Sequence, residues 1–397
     1  MWPKVYICSN IAHQPLNILR DTLCAQGFTC DELFYYTEAQ YRAATSARGI
    51  KHLWFRLNTY GLYPFWLFFK LWSVESGAVV VITSNTFYAP LISAMVGRIK
   101  RYNSVHLLYD LFPDALEVAG KLKPGSLPVK LLGIVQRLTC KYSQATVFLG
   151  QGLKQHYAKR WGTPKCCAVV DVSDAIETYA HVILAPYEST GLRIRYGGQC
   201  GYMHDAYTLA RCIHDAKQQH PSVTYDFFAS GVGIHVLKRE LSHGEINYSP
   251  VLQNNNWRDG LGSYSVSLVT LSAGGATVCL PSKLYGMLAA GHAIIAICPI
   301  WSDVARIILE NKVGWVVDNS YYDKLEEIAD NEYVSEVKRQ RSTEEISRDF
   351  SAVIASILSD QTELHDYQKN ARQVATEKFG KAEVGRQWSA FFGELLK

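Results

Sequence analysis

Short, wholly apolar runs alternate with longer amphipathic stretches along most of the chain. Residues 78–83, Ala-Val-Val-Val-Ile-Thr, are apolar almost throughout, as strands covered on both faces of a parallel sheet are. Similar runs predict strands at 4–9, 104–110, 146–149 and 168–171, with helices at 17–26, 90–100 and 151–159 between them. After the breaks at Pro186 and Gly191 the alternation restarts. Strands are expected at 192–196, 224–229, 265–271, 293–297 and 315–317, with helices at 204–218, 232–241, 302–311 and one opening at Ser282. The chain then closes in helices, the last at 383–396. Two blocks of alternating strand and helix predict an α/β protein of two lobes, each with a parallel sheet. The expected division is 1–187 and 188–382, with the closing helix, about 383–397, packing back on the first lobe. Ligands of such sheets sit beyond the C-terminal ends of the strands, so the loops there are where chemistry is sought.

Composition narrows the class. The 397 residues suit two domains, and 48% hydrophobic against 19% charged residues allows two real cores. A net charge of +4 without a dense basic run is no nucleic-acid signature. The ten cysteines include no Cys-x-x-Cys pair and read as free thiols of a reducing compartment. The sequence has no secretory h-region and no apolar run of 18 residues, which predicts a cytoplasmic location. Neither an Asp-x-Asp pair nor a His/Cys cluster with ligand spacing is present, so no metal and no cofactor are expected.

Candidate chemistry concentrates in loops after strands. Pro281 and Ser282 read as a helix start at which the Ser282 hydroxyl caps the first turn and the free N–H groups attract an anion. Lys283 adds a full charge there, although a solvated first-turn lysine would look the same. Gly198 and Gly201 bound a tight loop after a strand, either a phosphate-approaching loop or a plain turn. In the first lobe, His13 follows the first strand and Asn85 the strand 78–83; both are candidate ligand contacts, although a plain surface histidine would look the same as His13. Asp110 ends the next strand and either orients a substrate hydroxyl or caps the turn before Pro113.

The segment 281–295 (Pro-Ser-Lys-Leu-Tyr-Gly-Met-Leu-Ala-Ala-Gly-His-Ala-Ile-Ile), the loop 196–205 (Tyr-Gly-Gly-Gln-Cys-Gly-Tyr-Met-His-Asp), Asp110-Leu-Phe-Pro-Asp114 and the stretch Asn370-Ala-Arg372 to Phe379 occur in that order. Together they resemble the GT4 glycosyltransferases, and within them the WbuB-like branch of bacterial surface-polysaccharide enzymes. The resemblance implies the GT-B fold, two Rossmann-like lobes whose parallel sheets face a central cleft. It implies a retaining, metal-independent hexosyltransferase-like enzyme of polysaccharide or glycoconjugate biosynthesis. Its substrates would be a nucleotide-diphosphate sugar, UDP favoured over GDP, and a glycan or polyprenyl-linked acceptor. It places Gly198, Gly201, Lys238, Val251, Ser282, Lys283 and Leu284 at the donor, His13, Asn85 and Asp110 at the acceptor, and Asp110 and Lys283 in catalysis.

The chain departs from that pattern at four places. The two glutamates usually spaced Glu-x7-Glu fall at Val278 and Gly286, Gln199 replaces a loop arginine, Ser9 to His13 replace a Gly-Gly pair, and Tyr109-Asp110 replaces His-Asp. A degenerate partner or scaffold protein therefore stays open as an alternative, as does a sugar-nucleotide 2-epimerase. Segment 52–72, dense in Trp, Tyr and Phe beside Arg56 and Lys70, reads either as a helix packed on the first sheet or as a peripheral membrane contact.

Overall fold

The computed structural model describes residues 2–46, 49–173, 176–179, 181–184, 191–250 and 260–397. They form two compact units. The first holds Met1–Glu117, Leu122–Ser173 and Lys381–Lys397; the second holds Val118–Lys121 and Asp174–Gly380. The chain thus joins the second unit earlier than the breaks at Pro186 and Gly191 suggest. Val182 and Ile183 already pack there: the Val182 carbonyl accepts from Arg372, and a Cβ on Gly262 would lie 2.3 Å from the Ile183 carbonyl oxygen. Residues 185–190 of the expected seam lie outside the described residues.

Among the described residues, unit 1 holds six parallel strands: β1 (Val5–Ile11), β2 (Cys30–Tyr36), β3 (Val79–Thr83), β4 (Asn103–Leu108), β5 (Ala145–Phe148) and β6 (Cys167–Val169), in the order β2-β1-β3-β4-β5-β6. Every residue of β3 is buried, which is why its sequence shows no polar alternation. On one face, Tyr63, Leu67 and Leu71 of helix Tyr63–Trp72 and Val96 of helix Ala89–Lys100 pack on Cys8, Val80 and Ile82. On the other, helix Gln14–Ala25 meets helix Lys381–Leu395, with Phe28 edge-on to Phe392 at 5.3 Å. Strand β2 was not expected. It is an edge strand whose Asp31 and Glu32 pair with Lys4 and Arg20, and charges of this kind guard an open edge.

Unit 2 holds β7 (Arg193–Gln199), β8 (Thr224–Ser230), β9 (Asn247–Ser249), β10 (Val266–Thr270), β11 (Ala293–Ile297) and β12 (Gly314–Val317), in the order β12-β11-β10-β7-β8-β9. Its core packs Ile194, Tyr196, Phe227 and Ile295 against helices Ala206–Gln219 and Thr343–Ser359. Tyr196 and Phe227 stack at 5.0 Å. Strand order reverses between β1 and β3 in unit 1 and between β7 and β10 in unit 2. Loops leaving adjacent strands in opposite directions open a crevice at such a point, so each reversal marks a candidate ligand position.

Candidate functional site

In unit 1 the reversal is lined by short polar side chains. Ser9 Oγ accepts from Thr83 Oγ1 at 3.0 Å and from Asn85 Nδ2 at 3.2 Å, tying the end of β1 to the end of β3. Ser84 Oγ accepts from the backbone N–H groups of both Tyr109 and Asp110 at 3.1 Å, tying β3 to the loop after β4. The His13 ring lies edge-on to Tyr109 at 6.0 Å. Burial lowers the His13 pKa against an opposing pull from Glu38, so its imidazole is neutral at pH 7. His13, Asn85 and Asp110 therefore belong to three loops on one sheet edge. The Asp110 side chain is exposed and forms no ion pair among the described residues.

Asp114, the second carboxylate of the Asp-Leu-Phe-Pro-Asp stretch, has a different part. It is buried, and it accepts from His156 Nε2 at 2.7 Å, Arg160 Nη1 at 2.6 Å and Trp161 Nε1 at 2.9 Å. Glu117 pairs with the same arginine. Desolvation alone would raise the Asp114 pKa, but the His156 and Arg160 contacts outweigh it and hold the group below its ordinary value. The cluster fixes helix Asp114–Val118 to helix Gln151–Trp161. Asp114→Asn should cost about 3–5 kcal/mol, since it takes away the buried carboxylate that three donors share and leaves Arg160 with Glu117 alone. Urea unfolding of the two proteins at pH 7 measures it.

In unit 2 the reversal gathers cations. Lys283 opens helix Lys283–Ala289, and its Nζ lies 3.9 Å from the centroid of the Tyr196 ring and 3.5 Å from the Gln199 carbonyl oxygen. Gly198, at φ +91°, sits beside it: a Cβ there would be 3.7 Å from Lys283 Cδ. Burial pushes the Lys283 amine down to about 7, and Arg195 adds to the effect. Arg195 is the residue sequence reasoning missed. It is 5% exposed, in mid-strand β7, and forms neither an ion pair nor a hydrogen bond among the described residues. Its guanidinium lies 5.1 Å from the Phe228 ring centroid and runs over Gly197, where a Cβ would be 2.5 Å from Nη1. The glycine thus opens the path by which the arginine reaches toward the C-terminal end of its strand. The only hint in the sequence is a lone arginine between Ile194 and Tyr196, followed by Gly-Gly.

Other expected residues are placed differently. Ser282 is no cap: its own φ/ψ of −58°/−24° is helical and its side chain makes no capping bond. Leu284 N–H bonds to the Pro281 carbonyl and Tyr285 N–H to that of Ser282, so the turn closes one residue early and the hydroxyl cannot reach back. Leu284 is fully buried, and its N–H is already used. Gly201 N–H donates to His204 Nδ1 at 3.1 Å. Lys238 stands in the last turn of helix Val232–Glu240, exposed, with its Nζ 3.8 Å from the Tyr248 ring centroid; it does not meet Gly198 or Lys283. Val251 lies outside the described residues. The glycines after β8 serve packing: Cβ atoms on Gly231 and Gly233 would come within 2.5 Å of the Cys200 carbonyl oxygen and 2.4 Å of its Sγ. They let the loop after β8 lie directly on the loop after β7, where Cys200 N–H bonds to Ser230 O at 2.7 Å.

No family model matches the chain. The chain is similar to the probable glycosyltransferase WbjE of Pseudomonas aeruginosa, 24% identical over 253 residues, a match spanning 61% of this chain and 61% of that protein's length. Among solved structures, Alr3699/HepE of Anabaena in complex with UDP superposes at TM-score 0.68 with 10% identity, over 99% of this chain and 100% of that one. The sucrose-phosphate synthase of Thermosynechococcus elongatus gives 0.65 with 11% identity, over 99% of each chain. A glycosyltransferase from Rickettsia africae gives 0.61 with 12% identity, over 100% and 99%. With two six-stranded parallel sheets flanked by helices, this chain has the two-lobed α/β GT-B fold.

Proposed function

We propose that the protein is a retaining, metal-independent glycosyltransferase. It moves a sugar from a nucleotide-diphosphate donor, UDP favoured over GDP, to a hydroxyl of a glycan or polyprenyl-linked acceptor. The observation that carries this reading is the pair of cations at the β7–β10 reversal. Arg195, running over Gly197, and Lys283, beside Gly198, both lie along the end of β7 with no carboxylate partner among the described residues, and Arg195 is almost wholly out of water. A buried guanidinium without an acceptor is costly unless an anion completes it. The likeness to a probable glycosyltransferase and to a UDP-bound GT-B structure supports a nucleoside diphosphate as that anion. As the donor bond breaks, negative charge builds on the leaving phosphate; two fixed cations meet it without a metal. The leaving phosphate then takes the acceptor proton on the face it vacates, which retains configuration and requires no protein nucleophile. In unit 1, Asp110, Asn85 and neutral His13 are the acceptor-side residues.

Calorimetry in EDTA tests the reading. UDP should bind far better than uridine, and Lys283→Ala should weaken UDP but leave uridine unchanged. Equal affinity of wild type and variant for UDP overturns the assignment of Lys283. The pH dependence is a separate expectation. The Lys283 amine attracts phosphate only when protonated, and it loses its proton near pH 7. Affinity for a UDP-sugar, whose diphosphate keeps its charge, should therefore fall about tenfold from pH 6 to 8.5, the worth of one charge-assisted hydrogen bond. Lys283→Arg should flatten the profile.

A further inference from the structure

Among the described residues, fifteen of the 23 exposed large hydrophobic side chains lie in three helical segments of unit 1: residues 50–72, helix Ala89–Lys100 and helix Leu127–Tyr142. The segments form one layer, since helix Tyr63–Trp72 touches Ala89–Lys100, which touches Leu127–Tyr142. Exposure is high throughout: Ile50 86%, Phe65 and Phe69 68%, Ile99 66%, Leu127 69% and Leu131 56%. Tyr63, Leu67 and Leu71 of the same helices face inward to the sheet, so the outward apolar residues are surplus to the core. A soluble surface seldom leaves so much apolar area together without a use.

Charge identifies what covers it. The three segments carry eight lysines and arginines (Lys51, Arg56, Lys70, Arg98, Lys100, Lys130, Arg137 and Lys141) and not one aspartate or glutamate. None of the eight forms an ion pair among the described residues. Several lie over aromatic rings, Lys70 over Trp66, Lys100 over Trp72 and Arg98 over Tyr142. Apolar and aromatic side chains interleaved with unpaired cations match a layer of acyl chains beneath anionic headgroups. A second copy of the same face would set eight cations against eight. No helix of the described residues is long and apolar enough to cross a membrane, so the face can only lie along one.

We infer that unit 1 docks on anionic bilayers through this three-helix face, with residues 50–72 at headgroup depth and helices Ala89–Lys100 and Leu127–Tyr142 extending the contact. The inference is independent of the transfer reaction, and its test uses no substrate. The full chain is floated with vesicles of phosphatidylcholine alone and of phosphatidylcholine with about 30 mol% phosphatidylglycerol, each cation near such a surface being worth about fivefold in partitioning. Binding is expected to the anionic vesicles and to fall with salt. The double variants Phe65→Glu/Phe69→Glu and Leu131→Glu/Ile134→Glu change exposed positions and should each weaken binding about tenfold or more. Leu309→Glu, exposed in unit 2, should not. Circular dichroism verifies folding, and Lys130→Glu/Lys141→Glu replaces a variant that fails it. No binding to anionic vesicles at low salt overturns the inference. So does a Leu131→Glu/Ile134→Glu protein that binds like wild type, because the contact would then stop at residues 50–72. A dimer in light scattering that Phe65→Glu dissociates would assign the face to a second copy and overturn it too.

Discussion

Arg195→Met is expected to make the protein more stable and bind UDP worse. Without ligand, the guanidinium is buried, desolvated and lacks a counter-ion, with only the Phe228 ring face as compensation. Replacing it with an apolar chain of similar length removes that cost, worth about 1–2 kcal/mol of unfolding free energy. The same change deletes a preorganised donor to the diphosphate. Losing one side of a buried charge-assisted contact typically costs about 2–5 kcal/mol, so UDP affinity should fall by about 30-fold or more. Thermal unfolding with and without UDP measures both effects on one sample: the variant should melt higher alone and gain less from ligand. A variant that melts lower and keeps its UDP shift would make Arg195 a structural residue.

Acid should destabilise both units above the range in which carboxylates titrate. His106 in β4 and His292 before β11 are buried, and burial holds each near a pKa of about 3. Neither nitrogen of His106 has a hydrogen-bond partner. His292 Nε2 must donate to the Leu261 carbonyl at 3.0 Å, so its Nδ1 accepts from Ser267 Oγ at 2.7 Å; a proton on Nδ1 would turn that bond round and bury a charge that no carboxylate among the described residues meets. Unfolded, both histidines titrate near 6.5. Between about 3 and 6.5 the unfolded chain therefore carries a proton that the folded chain does not. Stability that is complete above pH 6.5 is lost as the pH falls. Each of the two contributes about 1.4 kcal/mol per pH unit to that loss, and His204 in unit 2, which burial also holds near about 3, adds to it there. By pH 5 unit 1 should lose about 2 kcal/mol to His106 and melt about 4–8 °C lower, and unit 2 should lose more. His106→Leu should remove that histidine's share of the dependence from unit 1, leaving the smaller contributions of His13 and Asp114. If calorimetric transitions at pH 5 and 7 coincide, these histidines are not the source of acid sensitivity.

The sheet strands were readable because parallel strands buried on both faces leave apolar runs. Strand β2 was not, since its edge position tolerates Asp31 and Glu32. Helix Leu127–Tyr142 escaped for the opposite reason. Buried Val129 and Gly133 alternate with exposed Leu127, Leu131 and Ile134, so the contrast that marks an amphipathic helix is missing. At the site, Lys283 was readable from its place at a helix start, whereas the Ser282 cap failed because Pro281 already supplies the carbonyl that closes the first turn. Arg195 was beyond local reasoning. Its reach depends on the empty volume over Gly197, and the absence of a partner becomes visible only when every neighbour is in place.

Helix Lys381–Leu395 belongs to unit 1, although residues 174–380 of unit 2 come before it in the chain. It covers helix Gln14–Ala25, and Gly385 sits so close to Gln26 that a Cβ there would meet that side chain at 2.8 Å. On the ribosome the order of completion is consequently inverted. Unit 2 can close as soon as its own residues emerge, while the earlier-made sheet waits on the order of 10–40 s for the helix that seals one of its faces. During that interval the partly covered unit 1 is the species most open to chaperones, proteases and mispairing.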